Sequence, residues 1–135
     1  MTEILRLAAF TSDPAGGNPA GVVLDATGLG DPDMQTIAAV VGYSETAFLV
    51  PRQTPSEYDV RYFAPEAEVS FCGHATIVAA VALAERGAPP DLLFRTKAGD
   101  VRITVTSADG RPSATLTSVP PHVENVDDAL VARVA

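Results

Sequence analysis

Cys72, Gly73 and His74 stand where two sequence patterns meet. A strand-like run stops there, and Ala75 to Ala84 reads Ala-Thr-Ile-Val-Ala-Ala-Val-Ala-Leu-Ala, almost wholly apolar. The pattern predicts a helix that opens at Gly73 or His74 and is buried on most of its circumference. The first N–H groups of such a helix have no intrahelical partners. Together with the positive end of the macrodipole they form a receptor for a carboxylate or phosphate. Gly73 lets a ligand come close to the backbone. An active site would sit at this junction. The plainer alternative is that His74 caps the helix and Cys72 is a small buried hydrophobe, as free cysteines commonly are.

Glu45 is the second group of interest. It precedes the run Thr46-Ala47-Phe48-Leu49-Val50, which reads as a strand and would draw the carboxylate towards a low-dielectric interior. General acid/base chemistry near neutral pH uses carboxylates in such surroundings. A solvated glutamate at a strand start is the commoner case on composition alone, because Glu is almost never fully buried.

Four stretches then carry a family resemblance. They are Phe10-Thr11-Ser12-Asp13-Pro14-Ala15-Gly16-Gly17-Asn18-Pro19-Ala20-Gly21-Val22-Val23-Leu24; Ser44-Glu45-Thr46-Ala47-Phe48-Leu49; Arg61-Tyr62-Phe63-Ala64-Pro65 with Glu68; and Cys72-Gly73-His74-Ala75-Thr76. In this order they resemble the N-terminal half of the PhzF-like isomerases of phenazine biosynthesis. The resemblance covers essentially the whole chain but only the first half of that family's fold. The family in turn is similar to diaminopimelate epimerase, with two like domains closing over a cleft.

The resemblance implies that Glu45 is the acid/base carboxylate that takes a proton from one carbon of a small substrate and returns it to another. It implies that Asn18, Gly73 and His74 line the ligand cleft. With Ser44 and Cys72 these make the candidate substrate-binding set. Cys72 falls where related epimerases and racemases keep a thiol base, although PhzF-like enzymes do their chemistry with the glutamate. The family's second domain contributes an aspartate and further anion contacts, and none of that sequence is present here. No metal, flavin or nicotinamide is implied.

Several elements must position these groups. Glu3 to Phe10 and Ala20 to Ala26 read as strands around a loop of Pro14, Gly16, Gly17 and Pro19. Gly16-Gly17-Asn18-Pro19 is either turn chemistry or a set of N–H groups and an amide offered to a ligand. Asp31 is the expected N-cap of a helix with Pro32 first inside, Met34, Ile37, Ala38 and Val41 on one face, and Gly42 as its end. Strands follow at Thr46 to Val50 and Tyr58 to Phe63. Arg61 reads equally as a carboxylate binder or as half of a structural ion pair. After the buried helix, Gly87 is the expected C-cap, and Leu92 to Thr96, Val101 to Thr106 and Ser113 to Thr117 read as a meander with turns at Ala98-Gly99-Asp100 and Ala108-Asp109-Gly110.

Composition sets the outer bounds. The 135 residues, 47% of them apolar, suffice for one ordinary domain. A net charge of −8 with a single lysine disfavours nucleic acid. One cysteine and two histidines give neither an internal disulfide nor a structural zinc site. Nothing resembles a signal peptide or a membrane span, which makes the cytoplasm the expected location.

The expected fold is α+β, a diaminopimelate epimerase-like domain with a mostly antiparallel sheet wrapped around the central helix. Residues 1–119 form the domain. Residues 120–135 are expected to be a linker and the start of an amphipathic helix, with Val126, Leu130, Val131 and Val134 on one face, leading towards a missing second domain. Three readings of that end compete: half of a naturally split enzyme completed by a complementary chain, a shortened fragment, or a domain that forms a homodimer. The first is preferred. The expected activity is cofactor-independent proton-shuttling isomerisation of a small carboxylate-bearing metabolite. A Cys72-based amino-acid racemase and a non-catalytic metabolite-binding subunit are the alternatives.

Overall fold

Alanine governs the architecture. Ala75, Ala79, Ala80 and Ala82 are fully buried in one helix, with Ile77, Val78 and Val81 between them, so that apolar side chains leave it in every direction. A helix with long side chains is about 10–12 Å across. Alanines narrow it enough to be enclosed by strands on all sides.

The computed structural model describes residues 3–10, 18–108, 111–118 and 129–133, by backbone alone at 7–10, 18, 19, 107, 108, 111, 112, 118 and 129–133. Its elements are β1 (Leu5–Phe10), β2 (Asn18–Val23), α1 (Asp31–Val41), β3 (Thr46–Pro51), β4 (Glu57–Phe63), β5 (Glu68–Val69), α2 (Gly73–Glu85), β6 (Asp91–Thr96), β7 (Gly99–Ala108), β8 (Arg111–Ser118) and β9 (Ala129–Arg133). Among the described residues the strands form one sheet in the order β3-β2-β1-β9-β8-β7-β6-β4-β5, and β3 also pairs with β4. Every strand but the two-residue β5 therefore belongs to a closed ring. The pairings are antiparallel except β2 with β3 and β4 with β6. The ring encloses α2, which packs against β1, β2, β3, β7, β8 and β9. The expected α+β fold, a mostly antiparallel sheet around a central helix, is what the chain adopts.

α1 lies outside the ring, on β3 and β4. Met34 and Ala38 share a second cluster with Val23, Ala26, Phe48 and Phe63, the two phenylalanine rings meeting edge-on at 5.4 Å. β3 is consequently apolar on both faces: Ala47 and Leu49 join the cluster around α2, Phe48 the one under α1. Helix ends explain the loops. Gly42 takes the left-handed conformation (φ 76°) and its N–H donates to the Ala38 carbonyl at 3.0 Å. At the end of α2 the cap is Arg86; Gly87 follows it, its N–H reaching the Ala84 carbonyl and that of Ala88 the Leu83 carbonyl, both at 3.0 Å. These paired bonds are a Schellman motif.

Two expectations need correction. The N-cap of α1 is Gly30, whose N–H donates to Asp33 Oδ2 at 3.1 Å, with Asp31 first in the helix. The Asp31 carboxylate turns instead to Arg61 Nη1 at 2.7 Å. At the C-terminal end, Leu130 and Val131 lie in strand β9, not in a helix. β9 fits between two strands, pairing antiparallel with β1 and with β8. The backbone bonds offered by those two edges outweigh a short helix that would be marginal alone. Residues 121–128, where the helix was to begin, and the Gly16-Gly17 and Asp109-Gly110 turns lie outside the described residues.

Arg61 settles as a structural ion pair. Its guanidinium grips Glu68 with two hydrogen bonds of 2.8 Å, and Lys97 Nζ reaches the same carboxylate at 2.8 Å. α1, β4, β5 and the β6–β7 turn are thereby tied together. The network holds Glu68 below the ordinary glutamate value of 4.5, chiefly through Arg61. A depressed carboxylate adds stability above its unfolded value and loses it as pH falls through the folded one. Arg61→Met is therefore expected to destabilise the domain at about pH 7 and to flatten the acid side of its stability profile, the two proteins converging at acid pH where Glu68 is protonated in both. Urea unfolding across that range checks this; parallel acid limbs would show that the network contributes nothing. No described helix is long and apolar enough to cross a membrane.

Candidate active site

Chain geometry places the carboxylate. Glu45 immediately precedes β3, and its carbonyl accepts a hydrogen bond of 3.2 Å from the Gly21 N–H. A Cβ at Gly21 would lie 2.8 Å from Thr46 Oγ1, so glycine is what allows β2 to close on this segment. Residues two apart in a strand share a face, which turns Glu45 to the side of Ala47 and Leu49, towards α2.

There it meets Cys72. Sγ of Cys72 donates to Glu45 Oε1 at 3.0 Å, and both residues are half-buried. Cys72 is the N-cap of α2 with extended backbone (φ −144°, ψ 116°); Gly73 and His74 are the first helical residues, also half-buried. Burial pushes the Cys72 thiol up to about 12, with the neighbouring Glu45 adding to the shift. The backbone N–H groups of Ala75 and His74 act in the opposite sense without overcoming it. At neutral pH the sulfur keeps its proton and points it at the carboxylate. A protonated thiol beside a carboxylate is a donor, not a base.

Behind this pair runs a buried chain of hydroxyls. The Tyr62 phenol and Thr76 Oγ1 are 2.6 Å apart, and Thr76 Oγ1 donates to the Cys72 carbonyl at 2.8 Å. The Thr76 N–H reaches the same carbonyl at 3.0 Å. Tyr62 is wholly buried, which raises its phenol well above the ordinary value of 10.0. The Tyr62 ring also packs edge-on to Phe71 at 5.6 Å. Sequence reasoning did not single out Tyr62 or Thr76. The one signal was Thr76 itself, the only polar residue between Ala75 and Ala84.

The remaining candidates are placed as follows. Ser44 is exposed beside Glu45. Asn18 opens β2 opposite Ala9, and its side chain lies outside the description.

Against known proteins, residues 7–130 match the family model of the phenazine biosynthesis-like proteins, PhzC-PhzF. An uncharacterized isomerase of Bacillus subtilis, YfhB, is 40% identical over 123 residues, covering 89% of this chain and 42% of the relative. The YddE isomerase of Salmonella typhimurium, also uncharacterized, is 51% identical over 77 residues, 57% of this chain and 26% of its own. Among solved structures, a PhzF-family phenazine biosynthesis protein of Bacillus anthracis superposes with TM-score 0.74 at 38% identity, covering 84% of this chain and 39% of that one. A probable proline racemase of Agrobacterium radiobacter shares the fold, with TM-score 0.60 at 18% identity, over 85% of this chain and 41% of its own. The chain spans less than half the length of these relatives. With four of its motifs in order, the helix-in-ring fold and a family match over nearly its whole length, this chain belongs to the phenazine biosynthesis-like PhzC-PhzF family.

Proposed function

We propose that this chain is the Glu45-bearing part of an isomerase that shifts a proton on a small carboxylate-bearing metabolite without a cofactor. The observation that carries this reading is the 3.0 Å contact from Cys72 Sγ to Glu45 Oε1. With the thiol proton directed at one oxygen, the other oxygen is left to serve as proton acceptor. The substrate's own carboxylate would rest at the start of α2, beside Gly73 and His74, where the positive end of a helix contributes about 0.3–1 kcal/mol to anion binding. Carbanion character developing after proton removal is stabilised by the same helix terminus. Glu45 then returns the proton to a second carbon.

The rest of the relatives' length would come from a complementary chain that closes the cleft and excludes water. Native mass spectrometry of the protein isolated from its source tests this part: a complex with a second chain of similar size supports it, whereas a homo-oligomer or a monomer sinks it. We place the activity in the cytoplasm.

The relatives named isomerases support the reaction class. A Cys72 thiol base is the competing chemistry, and the protonated sulfur speaks against it. Cys72→Ser keeps a donor facing Glu45, and we expect turnover within about tenfold of the parent, because a hydroxyl hydrogen bond replaces the thiol one. The measurement is uptake of solvent deuterium into a panel of small carboxylates, followed by NMR on the complete enzyme. Loss by about three orders of magnitude or more would move the reaction to the thiol.

A further inference from the structure

We propose that Thr76 and Tyr62 are positioning residues: their buried hydroxyls fix Cys72 so that its S–H stays on Glu45. The proposal rests on the reading of Glu45 as the proton-transfer group.

The donor inventory sets the direction of the chain. A threonine hydroxyl has one proton, and that of Thr76 goes to the Cys72 carbonyl. Tyr62 must then donate to Thr76 across their 2.6 Å contact. The order is Tyr62 O–H to Thr76 Oγ1, and Thr76 O–H to the Cys72 carbonyl. With the Thr76 N–H also on that carbonyl, both of its lone pairs are occupied. The residue that carries the thiol is held twice from one side.

Tyr62 holds it from the other side as well. Its ring packs on Phe71 while its hydroxyl acts through Thr76, so the residue just before Cys72 and the one a helical turn after it both meet one buried side chain. This matters because Cys72 is extended while Gly73 is helical, and the direction of Sγ depends on how that change of conformation is fixed.

Packing alone does not call for these hydroxyls. Thr76 is fully buried beside Ala75, Ile77 and Val78, where valine would fill the same volume, and phenylalanine would fill the site of Tyr62. A buried hydroxyl is costly unless it is bonded. Here two are bonded in series and end on the carbonyl of the thiol-bearing residue.

Cys72 is the single cysteine of this chain, so in Raman spectra of the chain by itself the S–H stretching band reads this site alone. Glu45→Ala gives the reference position of a thiol without the carboxylate. We expect the band in Thr76→Val to move towards that reference and the band in Thr76→Ser, which keeps the hydroxyl, to stay at the parent position. Alkylation of Cys72 by iodoacetamide at fixed pH should rise about tenfold in Thr76→Val, as for a thiol titrating one pH unit lower. A folded Thr76→Val protein with the parent band and parent alkylation rate overturns the proposal. If that variant does not fold, Tyr62→Phe carries the test: a broadened or shifted band supports the proposal and an unchanged one overturns it. A Glu45→Ala protein whose band stays where the parent has it removes the thiol–carboxylate contact, and with it both this inference and the function built on that contact. Failure of Thr76→Val alone leaves that function standing.

Discussion

Glu45→Gln is expected to lower turnover of the complete enzyme by about 10²–10⁴-fold, the range that a positioned general acid/base contributes. The amide keeps an oxygen facing the Cys72 thiol, 3.0 Å from the carboxylate in the parent, so the local packing survives. What it loses is the capacity to take a proton. KM should change little, because the substrate's carboxylate is assigned to the start of α2 and not to Glu45. Solvent-deuterium uptake into substrate reads the proton transfer itself. Uptake at the parent rate would leave the chain a metabolite-binding subunit.

Ile77→Ala is expected to destabilise the domain by about 2–5 kcal/mol, the usual cost of truncating a fully buried aliphatic side chain to alanine. Ile77 is 0% exposed and sits in a helix whose burial runs unbroken from Ala75 to Leu83. The ring limits relaxation, because its strands are bonded to one another and cannot collapse inwards without losing those bonds. A domain of this kind is stable by only about 5–15 kcal/mol, so the loss is a large share. Urea unfolding checks it: the midpoint should fall at unchanged slope. A shift below about 1 kcal/mol would mean that α2 is packed more loosely than its burial implies.

How far the sequence carried can be judged element by element. α2 was legible because an apolar run of ten residues admits little else, and its end was legible from Gly87 and the prolines after it. Its opening at Gly73, directly after Cys72, followed from the same run. β9 was not legible. Val126, Leu130, Val131 and Val134 fit a helical period, and what makes 129–133 a strand is the pair of edges offered by β1 and β8, which no local pattern records. Asp31 was misread for a related reason: a local cap was outcompeted by Arg61, thirty positions away. Tyr62 and Thr76 were each credited to something simpler, an alternating strand and an apolar helix. Their contact becomes visible only when β4 is laid against α2.

The position of β9 bears on biosynthesis. Leu7 stands opposite Arg133, so among the described strands the ring joins the first to the last. During translation β1 leaves the ribosome well before β9, the segment that will lie between it and β8, and it meanwhile presents an edge able to template pairing with another chain. Contacts of such sequence separation also make closure slow. The thiol–carboxylate pair stands on elements made earlier, yet the sheet around α2 is complete only once residues 129–133 have been made.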